Sequence, residues 1–88
     1  MLEFYNTIYY MRQHRPSMPF KAYYKVDAYY NFNTLEYKVY FYNIEDRIWL
    51  LSSYSRDELH SLKRFKKISK NEFEKGLMIE ELSKWTIQ

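Results

Sequence analysis

The stretch AYYKVDAYYNFNTLEYKVYFYNIEDRIWLLSSY, Ala22 to Tyr54, decides the fold, because its apolar residues alternate with polar ones along three successive runs. Taking Asn33-Thr34 as a two-residue hairpin turn places Phe32 opposite Leu35, Tyr30 opposite Tyr37, Ala28 opposite Val39 and Val26 opposite Phe41. All four pairs are apolar or aromatic. The intervening pairs, Asn31 with Glu36, Tyr29 with Lys38, Asp27 with Tyr40 and Lys25 with Tyr42, form a second, polar and tyrosine-rich face. Asn33 suits the turn because it tolerates positive φ. A third strand, Ile48 to Tyr54, follows the loop Ile44-Glu45-Asp46-Arg47 and pairs Phe41 with Leu50, Val39 with Ser52, Tyr42 with Trp49 and Tyr40 with Leu51.

On the C-terminal side of this meander the sequence announces two helix starts. Ser55-Arg56-Asp57-Glu58 and Ser69-Lys70-Asn71-Glu72 both fit a capping box, in which the serine oxygen takes an orphan amide and the glutamate reaches back to the serine amide. Leu59, Leu62 and Phe65 make the buried stripe of the first helix, which should end near Lys66-Lys67. In the second, Phe73, Leu77, Met78, Leu82 and Trp85 spread over half the circumference. Gly76 in mid-helix costs about 1 kcal/mol against alanine and marks a point of close packing.

On the N-terminal side the reading divides. Phe4, Tyr5, Ile8, Tyr9 and Met11 gather on one side of a helix, whereas Thr7-Ile8-Tyr9-Tyr10 has the composition of a strand. Helix is the preferred assignment. Arg15-Pro16-Ser17-Met18-Pro19 ends the segment, since proline lacks an amide donor and restricts the residue before it. The expected architecture is one α+β domain over residues 1–88, with a three-stranded antiparallel meander packed on two C-terminal helices. Both helices should cover the face of Tyr24, Val26, Ala28, Tyr30, Val39, Phe41 and Leu50.

The chain has 88 residues, with eleven Tyr, six Phe, two Trp and no Cys. Aromatic burial can therefore supply the core of a small domain, with neither disulfides nor thiolate metal sites. No run reads as a membrane span or a leader, which points to the cytoplasm. The net charge of +3 is uneven. Lys63, Arg64, Lys66, Lys67 and Lys70 form a basic cluster with no acid inside it, suited to nucleic acid or an acidic protein surface.

Catalysis has little to rest on. His14 and His60 lie in different elements, and no Gly-rich phosphate loop or nucleophile motif is present. Asp57 and His60 stand three apart on a helix and could share one metal, but two ligands without a visible third read first as an exposed polar pair. No cofactor or metal is expected. The tyrosine-rich face is the better clue: Tyr23, Tyr29, Tyr40, Tyr42 and Trp49, with Leu51, point away from the helix-covered side. They could bind a protein partner, a second copy of the chain or, with Lys25 and Lys38 between the rings, single-stranded nucleic acid.

The segment Tyr37 to Gly76, YKVYFYNIEDRIWLL followed three residues later by SRDELHSLKRFKKISKNEFEKG, resembles the small accessory proteins of phages and mobile elements of low-GC bacteria, anti-CRISPR and other anti-defence inhibitors among them. That resemblance implies a protein that inhibits a host nucleic-acid-processing enzyme by occupying its surface. It assigns no role to any residue.

Overall fold

The computed structural model describes residues 2–12 and 22–86, with side chains as far as residue 79. The Arg15-to-Pro19 stop, His14, and the side chains of Leu82 and Trp85 lie outside the described residues. The N-terminal segment is a strand, β1 (Leu2–Arg12), followed by β2 (Ala22–Asn31), β3 (Thr34–Asn43) and β4 (Ile48–Leu51). A short helix α1 (Arg56–Ser61), a strand β5 (Phe65–Ile68) and a long helix α2 (Lys70–Thr86) complete the chain. The five strands form one antiparallel sheet in the order β4-β3-β2-β1-β5.

The expected helix at the N-terminus is corrected to β1 for a physical reason. As a strand its apolar residues serve both faces at once. Ile8 and Tyr10 stand opposite Val26 and Tyr24 and join the core cluster on one face, while Tyr9 and Met11 join the cluster on the other. A helix would have gathered these residues on one side.

The β2–β3 hairpin also differs in detail. Its turn is Phe32-Asn33, and the register is Tyr24 with Phe41, Val26 with Val39, Ala28 with Tyr37 and Tyr30 with Leu35. Every pair expected from an Asn33-Thr34 turn is thus displaced by two residues along β3. Because side chains alternate with period two, a two-residue displacement leaves every residue on its expected face. The observed register also puts Asp27 opposite Lys38 and lets the Asn31 amide donate to Glu36 Oε1 at 3.1 Å. Positive φ falls on Phe32, at 58°. The β3–β4 pairing of Tyr40 with Leu51, Phe41 with Leu50 and Tyr42 with Trp49 is as expected, and the Ser52 amide extends it by donating to the Val39 carbonyl.

Both helix starts carry the capping box: Ser55 Oγ accepts from the Glu58 amide and Ser69 Oγ from the Glu72 amide, with each glutamate accepting from its serine amide. The first helix nevertheless stops at Ser61, and Phe65 to Ile68 is a strand against the far edge of β1. On a helix Phe65 and Ile68 would share one side. On a strand they face opposite ways, and each seals a different core cluster.

The expectation that both helices cover one face is corrected as well. Leu59 of α1, which is fully buried, joins the cluster of Tyr10, Tyr24, Val26, Val39 and Phe65. Phe73 and Leu77 of α2 join Tyr23, Ile68, Tyr9, Met11, Tyr42 and Trp49 on the other face. Gly76 makes this second docking possible, because a Cβ there would lie 2.8 Å from Tyr23 Cζ and overlap the Tyr23 hydroxyl. The molecule is elongated, 50 × 24 × 21 Å. No helix is long and apolar enough to cross a membrane among the described residues.

Candidate interaction surface

The tyrosine-rich face divides into three zones along the strands. In the zone nearest α2, Phe73 sits in a box of rings. Tyr9 stacks on it at 5.0 Å, Tyr23 and Tyr42 meet it edge to face at 5.4 and 5.8 Å, and Trp49 tilts against it at 5.4 Å. Tyr23 is 2 % exposed. The sequence-predicted residues Tyr23, Tyr42 and Trp49 are therefore brought together here, with Phe73 occupying the space that a ligand ring would take.

The middle zone is built around Asp27, 6 % exposed, a residue whose importance the sequence reading missed. Thr7 Oγ1 donates to Asp27 Oδ1 at 2.6 Å, and Lys25 Nζ stands 3.4 Å from Oδ2. The Lys25 ammonium also lies 4.8 Å from the Trp49 ring centre and 5.2 Å from that of Tyr40. Lys38 lies over the Tyr29 ring at 5.4 Å. Desolvation, and then the negative charge of Asp27 and its hydrogen bond, push the Tyr29 hydroxyl above the ordinary phenol range. Tyr29 and Tyr40, both half-buried, belong to this zone, where Lys25 is half-buried against a carboxylate and two rings and Lys38, exposed, lies over one ring. The alternation of polar residues in β2 was the only signal available for Asp27; its partner Thr7 lies on a segment that reads equally well as helix.

The third zone is the end of the sheet remote from α2. Neither core cluster includes a residue from 2–6 or 29–38. Phe4 meets Tyr29 edge to face at 5.8 Å on one side, and Tyr5 meets Tyr30 at 5.1 Å on the other, where a bulge at Tyr5 interrupts the β1–β2 ladder. Phe4 is 62 %, Tyr5 55 % and the turn residue Phe32 87 % exposed, with Leu2, Tyr30 and Tyr37 also in solvent. Beside them the Arg56 guanidinium lies 4.3 Å from the Tyr37 ring centre, at the mouth of an open groove of about 520 Å³ between β3 and the start of α1. Leu51, on the opposite edge strand, is exposed too.

The basic residues fall elsewhere. Lys63 and Arg64 occupy the turn after α1, Lys66 and Lys67 are on β5, and Lys70 opens α2; all five are exposed. Asp57 and His60 are exposed on α1, and no group of three His, Cys, Asp or Glu side chains converges among the described residues. In the loop before β4, Asn43 Oδ1 accepts from the Glu45 and Asp46 amides, so Glu45-Asp46 belongs to an ordinary side-chain-capped turn. Comparison with protein-family models, curated proteins and solved structures finds no match to this chain.

Proposed function

We propose that this chain is a small non-enzymatic binding protein, of phage or mobile-element origin, that inhibits a host nucleic-acid-processing protein by occupying its surface. The observation supporting the reading is the aromatic end of the sheet. Exposed rings gather there outside both core clusters, Tyr5, Tyr30 and Tyr37 on one face of the sheet, Phe4 on the other and Phe32 at the turn, and exposed apolar patches mark binding sites. Tyr and Phe rings supply large contact areas at low entropic cost, and central aromatic residues dominate interface energetics. The hydrogen-bonded ribbon of β1, β2 and β3 beneath them adds preorganisation.

On this reading the contact surface lies one zone further along the sheet than Tyr42 and Trp49, which pack on Phe73 of α2. The test is a pull-down from bacterial lysate, with and without nuclease treatment, using the wild-type chain and the Phe4→Ser, Phe32→Ser variant, whose fold is checked by circular dichroism. A protein captured by the wild type and lost, by at least about tenfold, with the folded variant fits a hot spot of roughly 1.4 kcal/mol or more. Equal capture by both chains refutes this surface, and capture abolished by nuclease refutes the protein partner.

A further inference from the structure

We infer that the β5 edge is a second, separate binding surface that holds the phosphate backbone of a nucleic-acid duplex without reading its sequence. The proposal goes beyond the protein-binding reading and does not depend on it. Lys63, Arg64, Lys66, Lys67 and Lys70 lie within eight consecutive residues that turn into, run along and leave one edge strand. None of the five makes an ion pair among the described residues. Two acids flanking the cluster in sequence are engaged at helix caps: Glu72 accepts from the Ser69 amide and Glu58 from the Ser55 amide. Lys66 and Lys67 project to opposite sides of the strand, so the edge presents cations on both flanks.

Arg64 is held in place. Its guanidinium lies 5.6 Å from the Tyr54 ring centre and 5.5 Å from that of Phe65, which leaves a positioned donor beside flexible lysines.

The choice of a duplex follows from what the neighbouring rings are doing. Single-strand binding needs open aromatic faces on which bases stack. Near β5 the rings of Tyr9, Tyr23, Tyr42 and Trp49 are filled by Phe73, so the edge offers charge without stacking. The surface is also distant from the aromatic end. β5 pairs with residues Tyr9 to Arg12 of β1, and seven residues at about 3.3 Å each separate Phe4 from Met11, a distance of about 23 Å. Both surfaces can therefore be occupied at once, by a nucleic-acid-processing protein and by the nucleic acid it carries.

The test is fluorescence anisotropy with a labelled 20-base-pair DNA duplex of mixed sequence. Four phosphate contacts give a slope of log affinity against log salt of about −3.6, hence on the order of 10²-fold weakening between 50 and 200 mM salt. Lys66→Glu with Lys67→Glu should weaken binding at least tenfold and flatten the slope by about 1.8. The control Lys38→Glu with Arg47→Glu, which changes the net charge equally but toward the opposite edge of the sheet, should retain most of the affinity. Loss of affinity in both variants alike would show attraction by net charge alone and overturn the proposal. So would absence of binding at 50 mM salt, tighter binding to a single strand of the same length, or displacement of the duplex by polyglutamate of equal charge, which would mark an acidic-protein site. Because the aromatic residues are untouched in these variants, failure here leaves the Phe4 and Phe32 result standing, and the reverse holds.

Discussion

Replacing Gly76 with alanine tests the docking of α2 through a single methyl group. Two opposed effects meet at this position. In an exposed mid-helix site Gly→Ala stabilises by about 1 kcal/mol through the unfolded chain. Here the new Cβ would lie 2.8 Å from Tyr23 Cζ and overlap the hydroxyl. The Tyr23 ring cannot swing aside easily, since it is 2 % exposed and locked against Phe73. Overpacking of this kind costs about 1–3 kcal/mol, which outweighs the propensity gain at most of that range. The expected net effect is a loss of about 1 kcal/mol, or a fall in Tm of about 4–8 °C for a domain of this size. Urea denaturation of Gly76→Ala in the wild-type and Tyr23→Leu backgrounds measures both halves. With the ring shortened, the same substitution should become stabilising. If Gly76→Ala raises the midpoint in the wild-type background, or if its sign is the same in both, α2 does not pack on Tyr23 as described.

Three further outcomes are expected. Ser55→Ala and Ser69→Ala should each cost about 1 kcal/mol in chemical denaturation, since each removes the acceptor for a helix amide. Ala28→Lys should fail to fold, as judged by loss of dispersed amide resonances, because Ala28 is buried opposite Tyr37 and a lysine there would have no partner. Stability should fall as pH rises above the ordinary phenol value of 10. Burial raises Tyr10, against the opposing charge of Arg56; burial and then Tyr54 raise Tyr24; burial and then Asp27 raise Tyr29. In that window the unfolded chain has released protons that the folded chain still holds, so the unfolded state gains. Urea midpoints measured at pH 9 and pH 11, with tyrosinate absorbance followed alongside, check the direction.

The sequence was most legible where one physical rule dominated. Period-two alternation assigned Tyr23 and Tyr24, or Tyr42 and Phe41, to opposite faces, and those assignments survived a two-residue displacement because parity is insensitive to it. The capping boxes at Ser55 and Ser69 located both helix starts for the same reason: each is a local hydrogen-bond pattern. What remained illegible was tertiary. Phe73 reads as one member of an apolar helix stripe, and nothing local says that its stripe faces Tyr9 and Trp49 in place of Val26 and Val39. β1 carries both periods in its apolar residues, and only its neighbours β2 and β5 decide between them. The aromatic end was hidden because Phe4, Tyr30 and Phe32 have the composition of core residues; their exposure follows from how far α1 and α2 reach.

The order of the strands also sets the order of events during synthesis. β1 is made well before β5, yet they are neighbours in the sheet. Until residues 65–68 leave the ribosome, the hydrogen-bonding edge of Tyr9 to Arg12 has no partner, and the rings destined to surround Phe73 have nothing to enclose. An unpaired edge of this kind invites pairing with other chains, and such non-local closure slows folding. The nascent chain is thus adhesive until β5 is made, and Lys66 and Lys67 bring to that edge the charge that resists further strand addition once β5 has closed it.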